Sequence, residues 1–376
     1  MKIAIDARPL NKRKAGIGYF IENLLKNILK NDIENEYYLF SDREICFDYE
    51  SPNLHKIKDS KSKLKKTPWF LFSVPKLLKQ YEIDIIWGTQ HVLPFNVPNN
   101  IKKVLTMHDV VLYEMPETMS TYNKLIMSFS VANSVKQADY IVCDSESTKE
   151  GLFKYMNKHI CNASKVKVIY ASADEVSITE KEESYFFNKY KDMPFIREKK
   201  YLLYVGTIEP RKNITVLLKA YEKIRDNSDM KLLICGKMGW KCEDIMNYMK
   251  NHRYKDDIFY LDYISNHDKN LLMKNAFAFI FPSLYEGFGI PVVEAMKVNT
   301  IALASSNSSL NELIEKEELK FNAKDSNELA NKILKLYSDK NLYNECKNYC
   351  INRANYFSWE KSSSQYIELF DKVRKI

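Results

Sequence analysis

The sequence predicts an α/β protein of two doubly wound domains that face each other across a cleft. The chain has 376 residues, too many for one ordinary core and suited to two domains. In both halves short apolar runs alternate with amphipathic stretches, as expected of parallel strands joined by helices. Ligands of such sheets bind at the carboxyl ends of the strands, so two facing domains would form a binding cleft.

The first half begins with a predicted strand over residues 2–6, followed by an amphipathic helix over 18–29. Four further short apolar runs are predicted as strands, at residues 37–41, 83–87, 103–107 and 140–144. These elements predict an N-terminal, Rossmann-like domain over residues 1–180. The charged stretch 181–200 is predicted to connect it to the second domain.

A second series of strands and helices fills the predicted second domain, residues 201–355. Its strands are predicted at residues 201–205, 231–235, 258–260, 276–281 and 300–304. The run over 276–281 is rich in Phe and Ile and reads as a buried parallel strand.

Composition predicts a globular protein, with 45% hydrophobic and 28% charged residues. No stretch approaches the roughly 18 uninterrupted apolar residues of a membrane span. The opening MKIAIDARPL reads as a first strand rather than a secretory signal, so we expect a cytoplasmic protein. The seven cysteines are scattered without C-x-x-C spacing, which predicts reduced thiols and no zinc site.

The basic charge is concentrated in one segment. From Lys56 to Lys79 there are eight lysines and one aspartate, against a formal net charge of +8 for the chain. Trp69, Phe70, Leu71 and Phe72 lie within it, and basic residues mixed with aromatic ones suit an anionic membrane surface. The alternative is a solvated loop followed by a core helix. No nucleic-acid partner is expected, because no recognised binding module accompanies the charge.

The run FIFPSLYEGFGIPVVEAM is the most chemically specific stretch of the chain. Gly287 and Gly289 allow the backbone to approach a ligand closely, and Pro291 suits the start of a helix whose first turn would hold Glu294. A helix start favours an anion such as a diphosphate. Carboxylates accept hydrogen bonds from diols, so Glu286 and Glu294 could hold the two sugars of a sugar nucleotide. On spacing alone, they could equally be a solvated loop charge and a helix-terminal charge.

The whole run resembles the E-x7-E motif of retaining glycosyltransferases of family 4, which have the GT-B fold. The resemblance implies that Glu286 orients the donor sugar and Glu294 the ribose, with Phe288 and Ile290 in the same donor-binding loop. Metal independence is implied too, with no cofactor beyond the donor substrate.

The segment YVGTIEPRKN places Arg211 and Lys212 in the turn after a strand. Arginine binds phosphate oxygens with two parallel hydrogen bonds and lysine adds a point charge, so together they can stabilise a departing diphosphate. The segment resembles the family's phosphate-binding loop, in the form found in bacterial O-antigen mannosyltransferases. It implies donor contacts at Gly206 and at Thr207, which stands where the more widespread form has Arg.

Two other segments carry predicted donor contacts. In ICGKMGW, Gly236 and Lys237 follow a strand, where the backbone could approach the nucleotide base. In AGIGYF, Gly16 and Gly18 resemble the family's glycine loop near the donor diphosphate, although Tyr19 replaces its usual Arg. A dinucleotide-binding turn is a weak alternative there, since Ile21 stands at the third glycine position.

His108 and Asp109 follow an apolar run, so they are predicted at the carboxyl end of a strand of the first domain. TMHD resembles the family's His-Asp pair, which implies that His108 contacts the donor sugar. The closing YFSWEKSSSQYIELF resembles the family's last helix, so residues 356–376 are predicted to join the first domain.

The sequence therefore predicts a retaining, metal-independent glycosyltransferase. It would move a sugar, mannose from GDP-mannose by resemblance, onto a lipid-linked glycan of a surface polysaccharide such as O-antigen or capsule. The alternatives are a UDP-sugar donor, a sugar-nucleotide epimerase or hydrolase, and a non-catalytic binding module. With the basic segment, a peripheral position on the inner face of the cytoplasmic membrane is also predicted.

Overall fold

The structure is a computed structural model that describes residues 1–12, 14, 16–116, 121–156 and 161–375, with the backbone only for 121–125. The chain forms two compact units, each with its own parallel sheet. Unit 1 comprises Met1–Ser172 and Ser358–Ile376, and unit 2 comprises Ala173–Phe357.

Unit 1 contains a seven-stranded sheet in the order β3-β2-β1-β4-β5-β6-β7, and every neighbouring pair is parallel. The strands are β1 (Lys2–Asp6), β2 (Glu36–Ser41), β3 (Leu54–Lys58), β4 (Ile85–Gly88), β5 (Lys102–Met107), β6 (Tyr140–Cys143) and β7 (Val166–Val168). The chain runs outward from β1 to β3 and then returns beside β1 with β4. That reversal is a switch point, where ligands of doubly wound sheets bind.

The helices of unit 1 are α1 (Gly16–Asn31), α2 (Lys66–Phe72), α3 (Val74–Gln80), α4 (Val111–Glu114), α5 (Thr121–Gln137), α6 (Glu146–Tyr155) and, from the far end of the chain, α16 (Trp359–Arg374). Helix α16 packs on α1 and on the sheet. The Tyr366 ring lies 4.8 Å from that of Trp87, and the Tyr366 hydroxyl is 3.0 Å from Thr106 Oγ1. All three side chains are buried, so α16 completes the core of unit 1.

Unit 2 contains a six-stranded parallel sheet in the order β10-β9-β8-β11-β12-β13. The strands are β8 (Tyr201–Val205), β9 (Lys231–Cys235), β10 (Ile258–Leu261), β11 (Ala278–Phe281), β12 (Ile301–Ser305) and β13 (Lys320–Phe321). The strand order reverses between β8 and β11. The loops that follow β8 and β11 carry Arg211 and Glu286, so they lie on the two sides of this second switch point.

The helices of unit 2 are α7 (Glu180–Lys189), α8 (Pro194–Arg197), α9 (Ile214–Asp226), α10 (Glu243–Lys250), α11 (Asn266–Asn275), α12 (Ile290–Lys297), α13 (Leu310–Leu313), α14 (Ser326–Ser338) and α15 (Lys340–Ala354). Helix α9 buries Leu217, Leu218 and Tyr221 on one face, as expected of an amphipathic helix that covers a sheet. Strand β11 is buried along its whole length, which fits its uninterrupted apolar run.

The two doubly wound parallel sheets confirm the predicted fold class, and three short strands were missed by pattern reading. Strands β3, β7 and β13 are edge strands of two to five residues with lysines among their apolar residues. Edge strands are half-solvated, so they lack the apolar run that identifies buried strands.

The structure places the segment 181–200, predicted as a connector, inside unit 2. It forms α7 and α8, and the Thr179 side chain caps α7 through a reciprocal pair of hydrogen bonds with Glu182. Phe186, Phe195 and Ile196 are buried. The charged residues of the segment lie mainly on its solvent-facing side. Because they surround these few apolar residues in the sequence, the sequence pattern does not show that the segment packs into a domain. The units divide after Ser172 and after Phe357 instead.

Candidate active site

The loops that follow β8 and β11 lie side by side at the switch point of unit 2. The Leu284 amide donates a hydrogen bond to the Arg211 carbonyl at 2.9 Å, which fixes one loop against the other. Arg211 and Lys212 form a short 3-10 helix with Pro210. The paired loops thereby bring residues some 75 positions apart into one cluster.

Glu286 lies at the centre of this cluster. Lys212 Nζ donates to Glu286 Oε1 at 2.7 Å, and Arg211 Nη1 donates to Oε2 at 3.1 Å. Glu286 is only 8% exposed. Burial alone would raise the pKa of its carboxyl group, but the Lys212 and Arg211 cations outweigh burial and lower that pKa. The three residues therefore form a charged cluster of one buried carboxylate and two half-buried cations, in which Glu286 is ionised at neutral pH.

The backbone of the first loop holds both cations in place. Asn213 adopts a left-handed conformation with φ of 55°, which ends the short helix and starts α9. Its side-chain amide donates to the carbonyls of Pro282 and Ala323 at 3.0 and 2.7 Å. Asparagine tolerates this backbone region better than most residues. Arg211 is further anchored by Glu209 at 3.0 Å and by the Tyr285 carbonyl at 2.9 Å.

The cluster has the chemistry of an anion site. A lysine ammonium has three hydrogens, and the hydrogen bond to Glu286 uses one. Among the described residues Glu286 is the one hydrogen-bond partner of the Lys212 ammonium, so its other hydrogens can bind a phosphate oxygen. A phosphate here would meet half-buried lysine and arginine charges, which act more strongly than in water.

The loop from Gly287 to Ile290 is shaped by its packing on the residues after β12. Gly289 has φ of 109°, and a Cβ built there would lie 2.7 Å from Leu310 Cδ2. Ser309 Oγ lies 3.0 Å from the Glu286 carbonyl oxygen and 2.7 Å from the Phe288 carbonyl oxygen, so its one hydrogen is shared between them. Phe288 is buried, with its ring 5.7 Å from that of Phe357. Gly289 is therefore required by its backbone conformation and by the packing against Leu310, whatever ligand the loop binds.

Glu294 lies outside the first turn of its helix, which corrects the prediction. Helix α12 begins at Ile290, so Glu294 is its fifth residue. Its Oε1 accepts a hydrogen bond from Lys269 Nζ at 2.6 Å. The sequence-based prediction counted from Pro291, whereas the left-handed Gly289 caps the helix one residue earlier.

The predicted contacts at Gly206, Thr207, Gly236 and Lys237 occupy the neighbouring strand ends. Gly236 has φ of 145°, and a Cβ there would lie 1.9 Å from the Gly206 carbonyl oxygen, so the two loops approach through bare backbone. Thr207 and Lys237 are exposed. Lys237 Nζ lies 4.5 Å from the centre of the Tyr263 ring, and that ring is 63% exposed.

His108 lies at the carboxyl end of β5 with both ring nitrogens engaged. Nδ1 is 2.6 Å from Asp144 Oδ2, and Nε2 is 2.8 Å from the Thr89 carbonyl oxygen. Burial alone would lower the pKa of the imidazole, but the Asp144 carboxylate outweighs it and raises the pKa. A doubly protonated ring donates to both partners. The surroundings of His108 therefore favour its protonated form, and both ring nitrogens are engaged within unit 1.

Gly16 and Gly18 belong to the first turn of α1. A Cβ on Gly18 would lie 2.8 Å from the Pro9 carbonyl oxygen, whereas one on Gly16 would meet nothing within 4 Å. Gly18 is thus needed where the start of the helix passes the strand end. Gly16 has open space around it.

The basic segment departs from the predicted surface. Trp69, Phe70 and Leu71 of α2 are buried, and the Trp69 indole N–H donates to Asp59 at 2.8 Å. Three of the four residues proposed to face a membrane therefore belong to the core of unit 1, and Phe72 alone is exposed, at 61%. A helix of seven residues is too short for its apolar spacing to show which side faces the sheet.

Several residues that shape these sites were not singled out from the sequence. They are Asp144 and Thr89 beside His108 and Lys269 beside Glu294. A polar residue at or just beyond the end of a predicted strand is a usable signal for Thr89 and Asp144. Lys269 carries no such signal, because the packing of α11 against α12 brings it into contact with Glu294.

The described part of the chain contains no group of three or more His, Cys, Asp or Glu residues able to hold a metal ion. Within the same residues, none of the helices has the length and apolar character needed to span a bilayer.

Comparison with known proteins gives matches to both halves of the chain. Residues 15–175 match the family described as Glycosyltransferase Family 4, and residues 187–353 match Glycosyl transferases group 1. The O-antigen chain mannosyltransferase B of Escherichia coli is 27% identical over 385 residues, covering 98% of this chain and 99% of that protein. The O-antigen chain mannosyltransferase RfbU of Salmonella typhimurium is 26% identical over 278 residues, or 73% of this chain and 72% of that protein.

Among solved structures, sucrose-phosphate synthase from Thermosynechococcus elongatus is similar across the whole chain. The TM-score is 0.79, with 99% of this chain and 98% of that chain covered and 18% of residues identical. At this identity the likeness concerns the fold alone.

Proposed function

Since the chain belongs to the glycosyltransferases of family 4 and has their GT-B fold, we propose that it transfers mannose from GDP-mannose to a lipid-linked glycan with retention of configuration. Two relatives that align over most of this chain are O-antigen chain mannosyltransferases, which supports mannose as the sugar and a surface polysaccharide as the product.

The observation that carries the proposal is the Glu286, Lys212 and Arg211 cluster at the switch point of unit 2. Two cations on one short turn fit a leaving diphosphate, whose negative charge grows as the glycosidic bond lengthens. Glu286 then orients the hydroxyls of the transferred sugar. As a carboxylate whose pKa is lowered, it accepts hydrogen bonds and is a poor proton donor.

In this proposal Glu294 binds the ribose diol of the donor. Its Oε1 is held by Lys269, and a carboxylate has further acceptor positions for the ribose hydroxyls. Lys269 is then a positioning residue for Glu294. We propose that His108 acts within unit 1 as a positioning residue, because Asp144 and Thr89 engage both of its ring nitrogens.

Donor choice is tested by the shift in melting temperature on addition of GDP, UDP or neither. We expect GDP to raise the melting temperature more than equimolar UDP, because a ligand that binds only the folded state stabilises it by mass action. Stabilisation by UDP alone would contradict the GDP-mannose proposal and favour a UDP-sugar donor.

Activity is tested with radiolabelled GDP- and UDP-sugars and lipid-linked acceptors. We expect labelled mannose in the lipid fraction, and only when acceptor is present. Rapid consumption of the donor without acceptor would favour a hydrolase or epimerase. Unchanged transfer by Glu286→Ala would remove the catalytic assignment of this cluster.

We also propose a membrane-facing surface on unit 1, narrower than the basic segment as a whole. Ser62 Oγ lies 3.0 Å from Ser73 Oγ, which ties the lysine-rich loop to the end of α2 beside Phe72. The side chains of Lys61, Lys63 and Lys65 are exposed there. The Phe72 ring lies 5.3 Å from that of Phe95, and the Phe95 ring lies 6.1 Å from that of the exposed Phe129. Lysines beside exposed apolar rings suit an anionic lipid surface.

The membrane proposal is tested by sedimentation with vesicles of phosphatidylcholine containing phosphatidylglycerol. Neutralisation of Lys61, Lys63, Lys65 and Lys66 to Gln is expected to weaken binding by about 1 kcal/mol for each lysine near the surface. The matched control neutralises four exposed lysines of unit 2, namely Lys219, Lys250, Lys324 and Lys340. Equal loss in both variants would point to net charge rather than to this surface.

A further inference from the structure

His91 occupies the switch point of unit 1, on the loop that follows β4. Strands β1 and β4 are neighbours there, although two strands separate them in the chain. Ligands of doubly wound sheets bind at this position, beyond the carboxyl ends of the strands. The corresponding position in unit 2 carries the Glu286 cluster. His91 therefore holds the equivalent place in the other sheet.

The backbone of His91 is strained and is held by its surroundings. Its φ is 62°, in the left-handed region that is uncommon for residues other than glycine. Thr89 Oγ1 donates to the Asp6 backbone carbonyl at 2.7 Å, and the Gln90 side-chain amide donates through Nε2 to Asp6 Oδ2 at 3.1 Å. The His91 amide donates to the Thr106 carbonyl at 3.2 Å. Strained residues persist where the surrounding structure determines them, and they concentrate at functional sites.

The Asp6 carboxylate that anchors this loop is itself buried and fixed. Arg8 Nη2 donates to Asp6 Oδ2 at 2.6 Å, and Arg8 Nε donates to Oδ1 at 2.8 Å. The Arg8 guanidinium also lies 4.4 Å from the centre of the Phe70 ring. The DARPL segment thereby holds the loop that carries His91.

The imidazole of His91 differs from that of His108 beside it. The two rings meet edge to face, with centroids 5.4 Å apart. His91 is half-buried. No hydrogen bond to either of its ring nitrogens occurs within the described residues, whereas both nitrogens of His108 are engaged. The nitrogens left for a ligand therefore belong to His91.

Burial favours the neutral form of the His91 ring. Burial lowers the pKa of the imidazole and the neighbouring His108 cation lowers it further, against the opposing effects of Asp109 and Asp144. A neutral imidazole has one N–H donor and one lone-pair acceptor. A sugar hydroxyl also donates one hydrogen bond and accepts others, so the two groups are complementary.

We infer that His91 is the residue of unit 1 that hydrogen-bonds a hydroxyl group of a sugar substrate, and that His108 positions it. The inference rests on the proposed function, because it takes the substrates to be sugars. The hydroxyl belongs either to the acceptor glycan or to the transferred sugar of the donor. The chemistry of recognition is the same for both.

The test compares wild-type protein with His91→Asn in steady-state transfer. Asparagine tolerates a left-handed backbone, so this substitution removes the imidazole with little change in loop geometry. We expect the KM for one substrate to rise about 3- to 10-fold, as for the loss of one neutral hydrogen bond. A rise confined to the acceptor assigns the hydroxyl to the acceptor, and a rise confined to the donor assigns it to the transferred sugar. The melting-temperature shift caused by GDP is expected to stay unchanged.

The control is His55→Asn, on the edge strand β3 of the same unit, where the ring is stacked on Tyr38. It is expected to leave both KM values unchanged. Unchanged KM values in His91→Asn, or a lower kcat with a lower melting temperature and constant KM, would overturn the inference and show that His91 is structural. Failure of the wild-type protein to transfer any sugar would instead contradict the proposed function.

Discussion

Glu286 is a buried carboxylate whose charge is preserved by two cations. Removal of one partner from a buried ion pair is more costly than the pair is worth, because the remaining charge stays desolvated. The members of the cluster, which is also the proposed diphosphate site, therefore depend on one another for charge compensation in unit 2. Each substitution in the cluster is therefore expected to have two effects that can be measured separately, one on stability and one on catalysis.

Glu286→Gln is expected to lower the free energy of unfolding by about 1.5–3 kcal/mol at pH 7, the value of hydrogen bonds to a charged group. The folded-state pKa of Glu286 is lowered, so its contribution is complete above the unfolded-state pKa of about 4.3 and is lost as the pH falls through the folded-state value. The difference in melting temperature between wild-type and Glu286→Gln should therefore be steady near neutral pH and shrink below about pH 4.

The control for Glu286→Gln is Glu180→Gln, which makes the same change at an exposed position of unit 2. It is expected to alter the melting temperature little at any pH. A difference for Glu286→Gln that persists unchanged at acid pH would show that the charge of Glu286 does not stabilise the cluster.

His108 has the opposite dependence on pH. Its folded-state pKa is raised above the ordinary value of about 6.5, so its contribution is complete below that value and is lost as the pH rises through the folded-state pKa. We expect the melting temperature of His108→Gln to lie further below that of the wild type at pH 6 than at pH 9. Differential scanning fluorimetry at both pH values checks this, and an equal gap would show that the ring is neutral in the folded protein.

At the scale of elements, both candidate sites are loops that follow neighbouring strands across a switch point. In unit 2 the loops after β8 and β9 are joined by backbone, as the Ile208 amide donates to the Lys237 carbonyl at 2.9 Å. This contact requires Gly236, where the backbone conformation and the nearby Gly206 carbonyl both exclude a side chain. The loop positions are therefore set by packing between elements as well as by their own residues.

Gly236→Ala is expected to destabilise the protein by about 1–3 kcal/mol for the backbone conformation, with a further cost for the overlap with Gly206. Gly16→Ala is the matched control, since a Cβ there meets nothing within 4 Å. Its effect on stability is expected to stay within about 1 kcal/mol. Urea denaturation of the two variants checks both values, and equal stability would mean that the loop at Gly236 rearranges freely.

At the scale of the whole molecule, unit 1 is completed by the end of the chain. Tyr366 of α16 is buried against Trp87 and Thr106, 260 positions from the latter in sequence. A substitution of Tyr366 is therefore expected to destabilise unit 1. Each unit has its own sheet and core, so local unfolding can differ between them.

Tyr366→Ala is expected to cost about 3–5 kcal/mol, the usual effect of removing a large buried aromatic ring. Amide hydrogen exchange should accelerate within residues 1–172 and remain near the wild-type rate within residues 173–357. Tyr366→Phe is the milder control, at about 1 kcal/mol for the hydrogen bond with Thr106. Equal acceleration in both units would show that they unfold as one cooperative body.

Much of the fold was predictable because strand and helix periodicity is a local property of the chain. Strands β1, β8 and β9 occupy the ranges predicted for them, and most of the other buried strands differ by one or two residues. The half-solvated edge strands β3, β7 and β13 were missed. The connector was misplaced for a related reason, since the apolar anchors of α7 and α8 are few and separated by charges.

The candidate site was predictable in residue type and only partly in arrangement. Glu286, Arg211 and Lys212 were identified by motif and lie in contact, as a shared site requires. The sequence also identifies His108, but it predicts neither the contacts of His108 with Asp144 and Thr89 nor a role for His91. A histidine three residues beyond a strand carries no distinctive sequence pattern.

The sequence by itself determined the two series of parallel strands, the family resemblance and the charged residues of the phosphate loop, because each of these is carried by neighbours in the chain. The tertiary structure alone decided which distant residues meet. It pairs Glu286 with Arg211 and Lys212, buries Trp69 to Leu71, and brings the His91 ring into contact with that of His108. The physical reason is that contacts at a switch point follow from strand order and packing, which no local periodicity encodes.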